Sequence, residues 1–434
     1  MKWIQSTDSR KWEEKKIIQH TSEFENYIHL TNIYGQEIKG FGACFNDAGY
    51  TAVNLLNEDL RKDIFSSLFS PKSECKFNIC FIPIGFNENA ELLYSHNEKD
   101  GDLNMTCFSI ANDHRYLLPY IKESLVYCPE MVLIASQQTP PVWMKDSKSY
   151  YHGQLRNEPS ILEAYALYLL KFIQLYKAEG VNIKQIHIPN IILAESKFPE
   201  RVISGEKLAT FIRDFLNPLL KNKSVETEIW LSSLNGNEGY LSYEYSRFIE
   251  DILFDKTVRD CINGVSYQSF DIDYIKFMNN SWPEIPLARI ENDCGSGDNS
   301  WLHAEKIFRL IRIYLLSGVE YYIYPNMILQ ENKRNIFCYA QNSLITVNLE
   351  NNMVVYNPEF YVMRHYSSFV ESGSKRIETK GHWSNMTIAF ENADGSKIVI
   401  MQNPFNHPQQ AVIKVDSLSV SVILEARSFN TFIF

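Results

Sequence analysis

The chain has 434 residues, 45% hydrophobic and 22% charged, with a formal net charge of −10. That length exceeds one ordinary domain and points to a large soluble domain with a smaller companion. The acidic balance, with no basic run and no basic helix, argues against nucleic acid or an anionic membrane surface as partner.

No stretch approaches about 18 uninterrupted apolar residues, so no membrane span is expected. The opening MKWIQSTDSRKWEEKK lacks the apolar segment of a secretion signal, and a cytoplasmic location is expected. The eight cysteines are Cys44, Cys75, Cys80, Cys107, Cys128, Cys261, Cys294 and Cys338. They are scattered, with no CxxC pair or Cys/His cluster at metal-ligand spacing, so reduced thiols and no metal are expected.

Residues 1–38 are polar and irregular apart from a strand-like run at Tyr27-Ile28-His29-Leu30. GFGACFNDAG, residues 40–49, reads as a strand with close-packing glycines that ends in Asn46-Asp47. A helix is predicted over 52–69, where Leu55, Leu60, Ile64 and Leu68 share a face. FNICFIPIG, residues 77–85, is a continuous apolar run, which suits a strand buried on both faces. A polar loop and a helix over 113–127 follow. Strands at 131–137, 184–190, 228–234, 263–270, 287–291 and 320–328 then alternate with helices. Those helices are predicted at 159–178, 205–220, 240–254, 273–280, 300–317 and 358–370, the first opening on Pro159, a residue suited to a first helical turn.

Serial βα units imply a parallel sheet, and eight of them close a (β/α)8 TIM barrel of the α/β class. Past residue 371 the pattern changes. TIAFENADGSKIVIMQNP places two strands around an Asp-Gly turn, and period-two runs continue to SFNTFIF. The expected layout is a barrel over 39–371 and an appended all-β sandwich over 372–434. Residues 1–38 lend strands to that sandwich.

The chemistry centres on ARIENDCGSG, residues 288–297. Its Glu291 ends the seventh strand, just before a polar, glycine-bearing loop, where such barrels keep their catalytic groups. A retaining glycosidase needs a second carboxyl group about 5–5.5 Å away. The fourth strand ends HIPNIILAESKFPE, and its tip, Asn190-Ile191-Ile192, carries no carboxylate. The nearest are Glu195 and Glu200, further along the loop. Cys294 has no histidine at a suggestive place and reads as a structural thiol.

Taken together, these stretches resemble glycoside hydrolase family 30, the retaining β-glycosidases that include glucosylceramidases and β-1,6-glucanases. The resemblance runs from Gly40 to Phe434. It is carried by GFGACFNDA at Gly40, IPIG at Ile82, TPPVWMK at Thr139, YLLKFIQLYKAEGVNI at Tyr168 and IENDCGSGDNSW at Ile290. YPNMIL at Tyr324, QNSLITV at Gln341, YNPEFYVMRHYSSFV at Tyr356 and the terminal SFNTFIF complete it.

The resemblance implies a barrel with a β-sandwich built from both termini, a carbohydrate or glycoside substrate, and no metal or organic cofactor. It puts Glu291 on the nucleophile. The acid/base implied is the Glu of an Asn-Glu-Pro motif on the fourth strand; Asn190 matches the Asn, but Ile191 and Ile192 replace the other two. An isoleucine cannot move a proton. Asn157-Glu158-Pro159 repeats the tripeptide but has no strand before it, and reads as a helix start. Glu195 is the candidate substitute acid/base, with Glu200 behind it. Phe81 stands where the family has an Arg that would keep the nucleophile ionised. Gln138, Ser269, Pro325, Phe337 and Tyr339 stand where the family has aromatic residues, mostly Trp, whose faces stack on sugars.

Candidate substrate contacts are Asp47, Trp143, Asn190, Tyr267 and Tyr324. Two readings follow. One is a β-glycosidase whose activity is weak, altered or lost; the alternative is a non-catalytic relative that binds carbohydrate or a protein partner.

Overall fold

The computed structural model describes residues 1–17, 25–151, 153–189, 205–233, 249–268, 272–290 and 294–434. Asn190, Ile191, Ile192, Glu195, Glu200, Ser269 and Glu291 lie outside the described residues, as does most of the helix expected at 240–254.

Eight strands form the barrel wall: β1 (Gly40–Ala43), β2 (Ile79–Pro83), β3 (Val132–Ser136), β4 (Ile183–Pro189), β5 (Glu228–Ser233), β6 (Gly264–Tyr267), β7 (Leu287–Arg289) and β8 (Val319–Tyr324). They hydrogen-bond in the order β1-β8-β7-β6-β5-β4-β3-β2, every pair parallel. The two ends of that order meet. Cys44 bridges Phe81, the Phe45 N–H donates to the Phe81 carbonyl at 2.9 Å, and the Asn78 N–H donates to the Phe41 carbonyl at 3.1 Å.

Alternation along the strands sorts the side chains. Cys44, Ile79, Phe81, Ile134, Trp230, Ala288, Ile290, Tyr321 and Ile323 fill the interior. Cys80, Ile82, Leu133, Ile186, Leu231, Val265 and Tyr322 pack outward against the helices. Gly264 makes room for the largest interior ring, because a Cβ there would lie 2.4 Å from Trp230. A polar chain shares the interior. His187 lies 2.8 Å from Ser266 Oγ and 3.2 Å from Gln185 Oε1, and the Tyr321 hydroxyl donates to Gln185 at 3.0 Å. The His187 ring stacks on Trp230, and burial pushes it down to about 3, so it stays neutral.

The stretch expected as one helix over 52–69 is two helices, Asp47–Asn54 and Glu58–Phe69. Each has its own asparagine cap: Asn46 accepts from the Gly49 N–H and Asn57 from the Leu60 N–H. The strand expected over 320–328 ends at Tyr324, before Pro325, which has no N–H to extend the ladder. Ile328–Gln330 joins a separate sheet with Ile345–Asn348 and Met353–Tyr356. Asn157-Glu158-Pro159 does open a helix, Pro159–Ala178, with proline in the first turn. Its cap makes no side-chain bond; Glu158 pairs with Arg156 at 3.2 Å.

Both termini build the second layer. One sheet runs Leu418–Leu424, Gln409–Val415, Tyr27–Glu37, Lys375–Gly381, Thr387–Glu391, Lys397–Asn403, Ser428–Ile433, Lys2–Ser6, Glu13–Lys15. Trp3, near one edge, shares a core with Val420 and Val422 at the other, so the sheet is folded over on itself as a sandwich. Thr387–Glu391 and Lys397–Asn403 are the hairpin expected around Asp394-Gly395.

The sandwich is fixed to the barrel through helix Trp301–Leu316 and helix Pro358–Ser367. Trp301 stacks on Phe429 at 4.5 Å and donates to the Arg427 carbonyl at 3.0 Å. Buried His365 sits 2.9 Å from Ser6 Oγ and 2.8 Å from Thr431 Oγ1, tying both termini to the barrel. Trp301→Ala removes the ring and orphans the carbonyl. The expected loss is about 3–5 kcal/mol of stability, read as a lower denaturant midpoint, with Trp301→Phe losing clearly less.

Candidate active site

All eight strands point their carboxyl ends at one rim, so the loops after β1, β2, β3, β7 and β8 meet there. What joins those after β1, β2, β7 and β8 is a set of side-chain amides. Asn89, after β2, donates to Asn326 Oδ1 at 2.8 Å and to Gln341 Oε1 at 2.7 Å, both beyond β8. Asn46, after β1, donates to the same Asn326 oxygen at 3.3 Å. Gln341 donates to Glu88 at 2.6 Å. Asn326 donates to the Asn342 carbonyl at 3.0 Å, and Asn342 reaches the loop after β7 through its own N–H, which donates to the Cys294 carbonyl at 2.6 Å. Asparagine and glutamine suit this role because each amide both donates and accepts. Among the described residues, no group of three His, Cys, Asp or Glu side chains converges as a metal site.

Behind the rim lies a buried polar layer. Asp47, 2% exposed, begins helix Asp47–Asn54. Its carboxyl accepts from the Glu91 N–H at 3.3 Å and Asn112 at 3.5 Å. Burial pushes it up to about 7, with Asp113 adding to the rise and these hydrogen bonds opposing it. Asp113 itself accepts from the Tyr94 hydroxyl at 2.9 Å and the Tyr176 hydroxyl at 2.6 Å, and His96 Nε2 lies 2.9 Å away. Trp143, 3% exposed, donates its indole N–H to the Asn97 carbonyl at 3.0 Å. Lys145 is buried beside it, donating to Thr139 Oγ1 at 2.8 Å; burial lowers it to about 8.

The barrel over residues 38–370 matches the model of the glycosyl hydrolase family 30 TIM-barrel domain, and residues 373–432 match that family's beta sandwich domain. The chain belongs to glycosyl hydrolase family 30. It is 24% identical to putative glucosylceramidase 2 of Caenorhabditis elegans over 395 residues, 85% of this chain and 74% of that protein. Among solved structures it resembles SrfJ from Salmonella typhimurium (TM-score 0.90, 19% identity, 100% of this chain and 99% of that one). It also resembles the endo-beta1,6-glucanase BT3312 (TM-score 0.87, 21% identity, 100% and 98%). No described helix is long and apolar enough to cross a membrane.

Against the family 30 expectations, the described residues fall into three groups. Phe81, at the expected arginine position, is 4% exposed and packs inside the barrel with Ile134, Ala288 and Ile290. Ile290, the last described residue of that segment, belongs to the same apolar cluster. Tyr267 and Tyr324 are fully buried and alternate with the inward-facing Ser266 and Ile323; both rings belong to the core on the helix side of the wall. Asp47 and Trp143 brace the long loop after β2. Glu291, Glu195 and Asn190 lie outside the described residues.

Aromatic surface does remain at the rim. Tyr151 meets Phe337 edge-on at 6.2 Å, Phe86 meets Tyr150 at 5.3 Å, and Tyr339 is exposed. The amide set was not singled out from sequence, although each member had a signal. Asn46, Asn89 and Asn326 all come within a few residues of a strand end, and Gln341-Asn342 opens one of the family motifs.

The position of Asp47 has a consequence for stability. Its ordinary value is 3.8 and its folded value about 7, so between those limits the folded chain holds a proton that the unfolded chain releases. Stability from this group is therefore full below about pH 4 and is lost as pH rises toward 7. Asp47→Asn removes the ionisation. The melting temperature of the native chain relative to this variant is expected to fall steadily between pH 4.5 and pH 7.5, measured by calorimetry.

Proposed function

We propose that this chain is a retaining β-glycosidase that keeps its nucleophile, Glu291, and lacks the general acid at position 191. The observation that carries the reading is the pairing of a family 30 barrel over residues 38–370 with Glu at 291 and Ile at 191. In family terms Glu291 attacks the anomeric carbon and the leaving oxygen takes a proton from the fourth-strand acid. Without that acid the aglycone must leave unprotonated, and the cost is about 10²–10⁴-fold in rate, least for leaving groups that are stable as anions.

Glu195 is the substitute acid/base in this proposal, a weak one because it lies four residues past the usual position. The apolar packing around Phe81 and Ile290 supports a second handicap. A carboxylate beside hydrocarbon is raised in pKa, whereas a guanidinium at position 81 would lower it. Glucosylceramide-like and β-1,6-linked glucosides are the first substrates to try, because a glucosylceramidase and an endo-β1,6-glucanase are among the similar proteins.

The same Phe81 packing favours a second reading, in which the barrel binds a glycoside or a protein partner without turning it over. Intact-mass spectrometry after exposure to activated 2-fluoro β-glycosides separates the two, since these reagents need the nucleophile and not the acid. The expected result is a mass increase of one glycosyl unit on the native chain and none on Glu291→Gln. No adduct with any sugar of the panel would contradict the enzymatic reading and leave the binding one.

A further inference from the structure

We propose that Asn342 is a positioning residue for the loop that carries Glu291, held in place by Glu359; the proposal rests on Glu291 being the nucleophile. Asn342 is fully buried and grips the loop at two points three residues apart. Its N–H donates to the Cys294 carbonyl at 2.6 Å, and its Oδ1 accepts from the Gly297 N–H at 2.7 Å. Between those points Gly295 runs at φ +65, and a Cβ on it would lie 2.5 Å from Asn342 Cγ. The backbone of residues 294–297 thus lies directly against the amide, three to six positions after Glu291 in the sequence.

The other half of the amide is anchored to rigid elements. Nδ2 donates to Glu359 Oε1 at 2.7 Å and to Asp298 Oδ1 at 3.3 Å. Glu359 is fully buried in the first turn of helix Pro358–Ser367, so it cannot move without the helix. Burial raises its carboxyl to about 7, and Oε2 has no hydrogen-bond partner, which suits a carboxyl whose other oxygen is committed to the amide. The line of support therefore runs from helix Pro358–Ser367 through Glu359 and Asn342 into the segment after Glu291. A buried, fully bonded amide is a stiff link, and a nucleophile displaced by about 1 Å loses on the order of 10²-fold in rate.

A purely structural asparagine would lower stability without separating binding from reaction. The test uses the full chain and an activated 2-fluoro β-glucoside, reading the limiting rate of labelling at Glu291 and the half-saturating concentration. Asn342→Asp keeps the shape and the acceptor but loses the donor to Glu359. It is expected to lower the limiting rate about 10²-fold. Half-saturation should change by less than about threefold.

The double variant Asn342→Asp with Glu359→Gln restores a donor facing an acceptor at Glu359, with the direction reversed, but leaves the new carboxyl beside Asp298, and is expected to recover part of the rate. Amide hydrogen exchange across residues 294–298 is expected to quicken in Asn342→Asp and slow again in the double variant. A native chain labelled at Glu291 whose Asn342→Asp form labels equally fast would overturn the proposal, as would a double variant with no recovery. Failure of the native chain to take label would sink the nucleophile assignment and the catalytic role with it. Unchanged exchange over 294–298 would then show that the clamp itself is absent.

Discussion

Two backbone hydrogen bonds, Phe45 N–H to Phe81 and Asn78 N–H to Phe41, turn eight parallel strands from an open sheet into a ring. Everything at the rim depends on that closure. It brings the loops after β8 and β1 next to the loop after β2, so that Asn326, Asn46 and Asn89 can share hydrogen bonds. It also gives Phe81 two roles at once. The Phe81 carbonyl helps to seal the ring, and the side chain fills the interior with Ile134 and Ile290. The first role is open to any residue and preserves the fold. The second sets the character of the interior there: a phenyl ring offers none of the hydrogen bonds or charge that an arginine would.

Side-chain amides carry most of the rim's hydrogen bonds, with Glu88 accepting from Gln341 and a Lys333–Glu91 ion pair at 3.3 Å beside them. Asn46, Asn89, Asn326 and Asn342 are buried, and a buried amide with an unmet partner costs about 1–3 kcal/mol, so each loop is held by the satisfaction of the others. Buried carboxyls at Asp47 and Glu359 follow the same logic. Both are pushed up to about 7 by burial, and both are fastened by amide or backbone donors. Such an arrangement holds the loops in place through committed polar atoms. It also explains why Asp47 and Trp143 belong to the support of the loop after β2: their polar atoms are already committed to Glu91, Asn112 and Asn97.

The barrel was legible because its strands are continuous apolar runs between turn signals, and FNICFIPIG cannot be much else. What failed to show was local. Apolar spacing ran two helices together over 52–69, because Asn57 looks like any surface residue until it caps. Ile328–Gln330 is continuous in sequence with β8, and only Pro325 marks the break. The facing of Tyr267 and Tyr324 was hidden because GVSY and VEYYIY do not alternate polar with apolar. The environments of Asp47 and Asn342 come from residues 44 and 17 positions away, Glu91 and Glu359, a separation no local pattern reports. The roles proposed for positions 291 and 191 were legible only through the family motif, since a lone strand-end carboxylate is common.

In the function proposed above, Ile191 leaves the fourth-strand position without a proton donor, and glycosides with poor leaving groups suffer most. The most direct measurement is the hydrolysis rate of Ile191→Glu against the native chain on two β-glucosides, one with an activated aryl leaving group and one with an alkyl leaving group. A gain of about 10²–10⁴-fold is expected on the alkyl glucoside and little change on the aryl one, because only the former needs the acid. A native chain that already cleaves the alkyl glucoside as readily as the aryl one, or a variant with no gain on either, would contradict it.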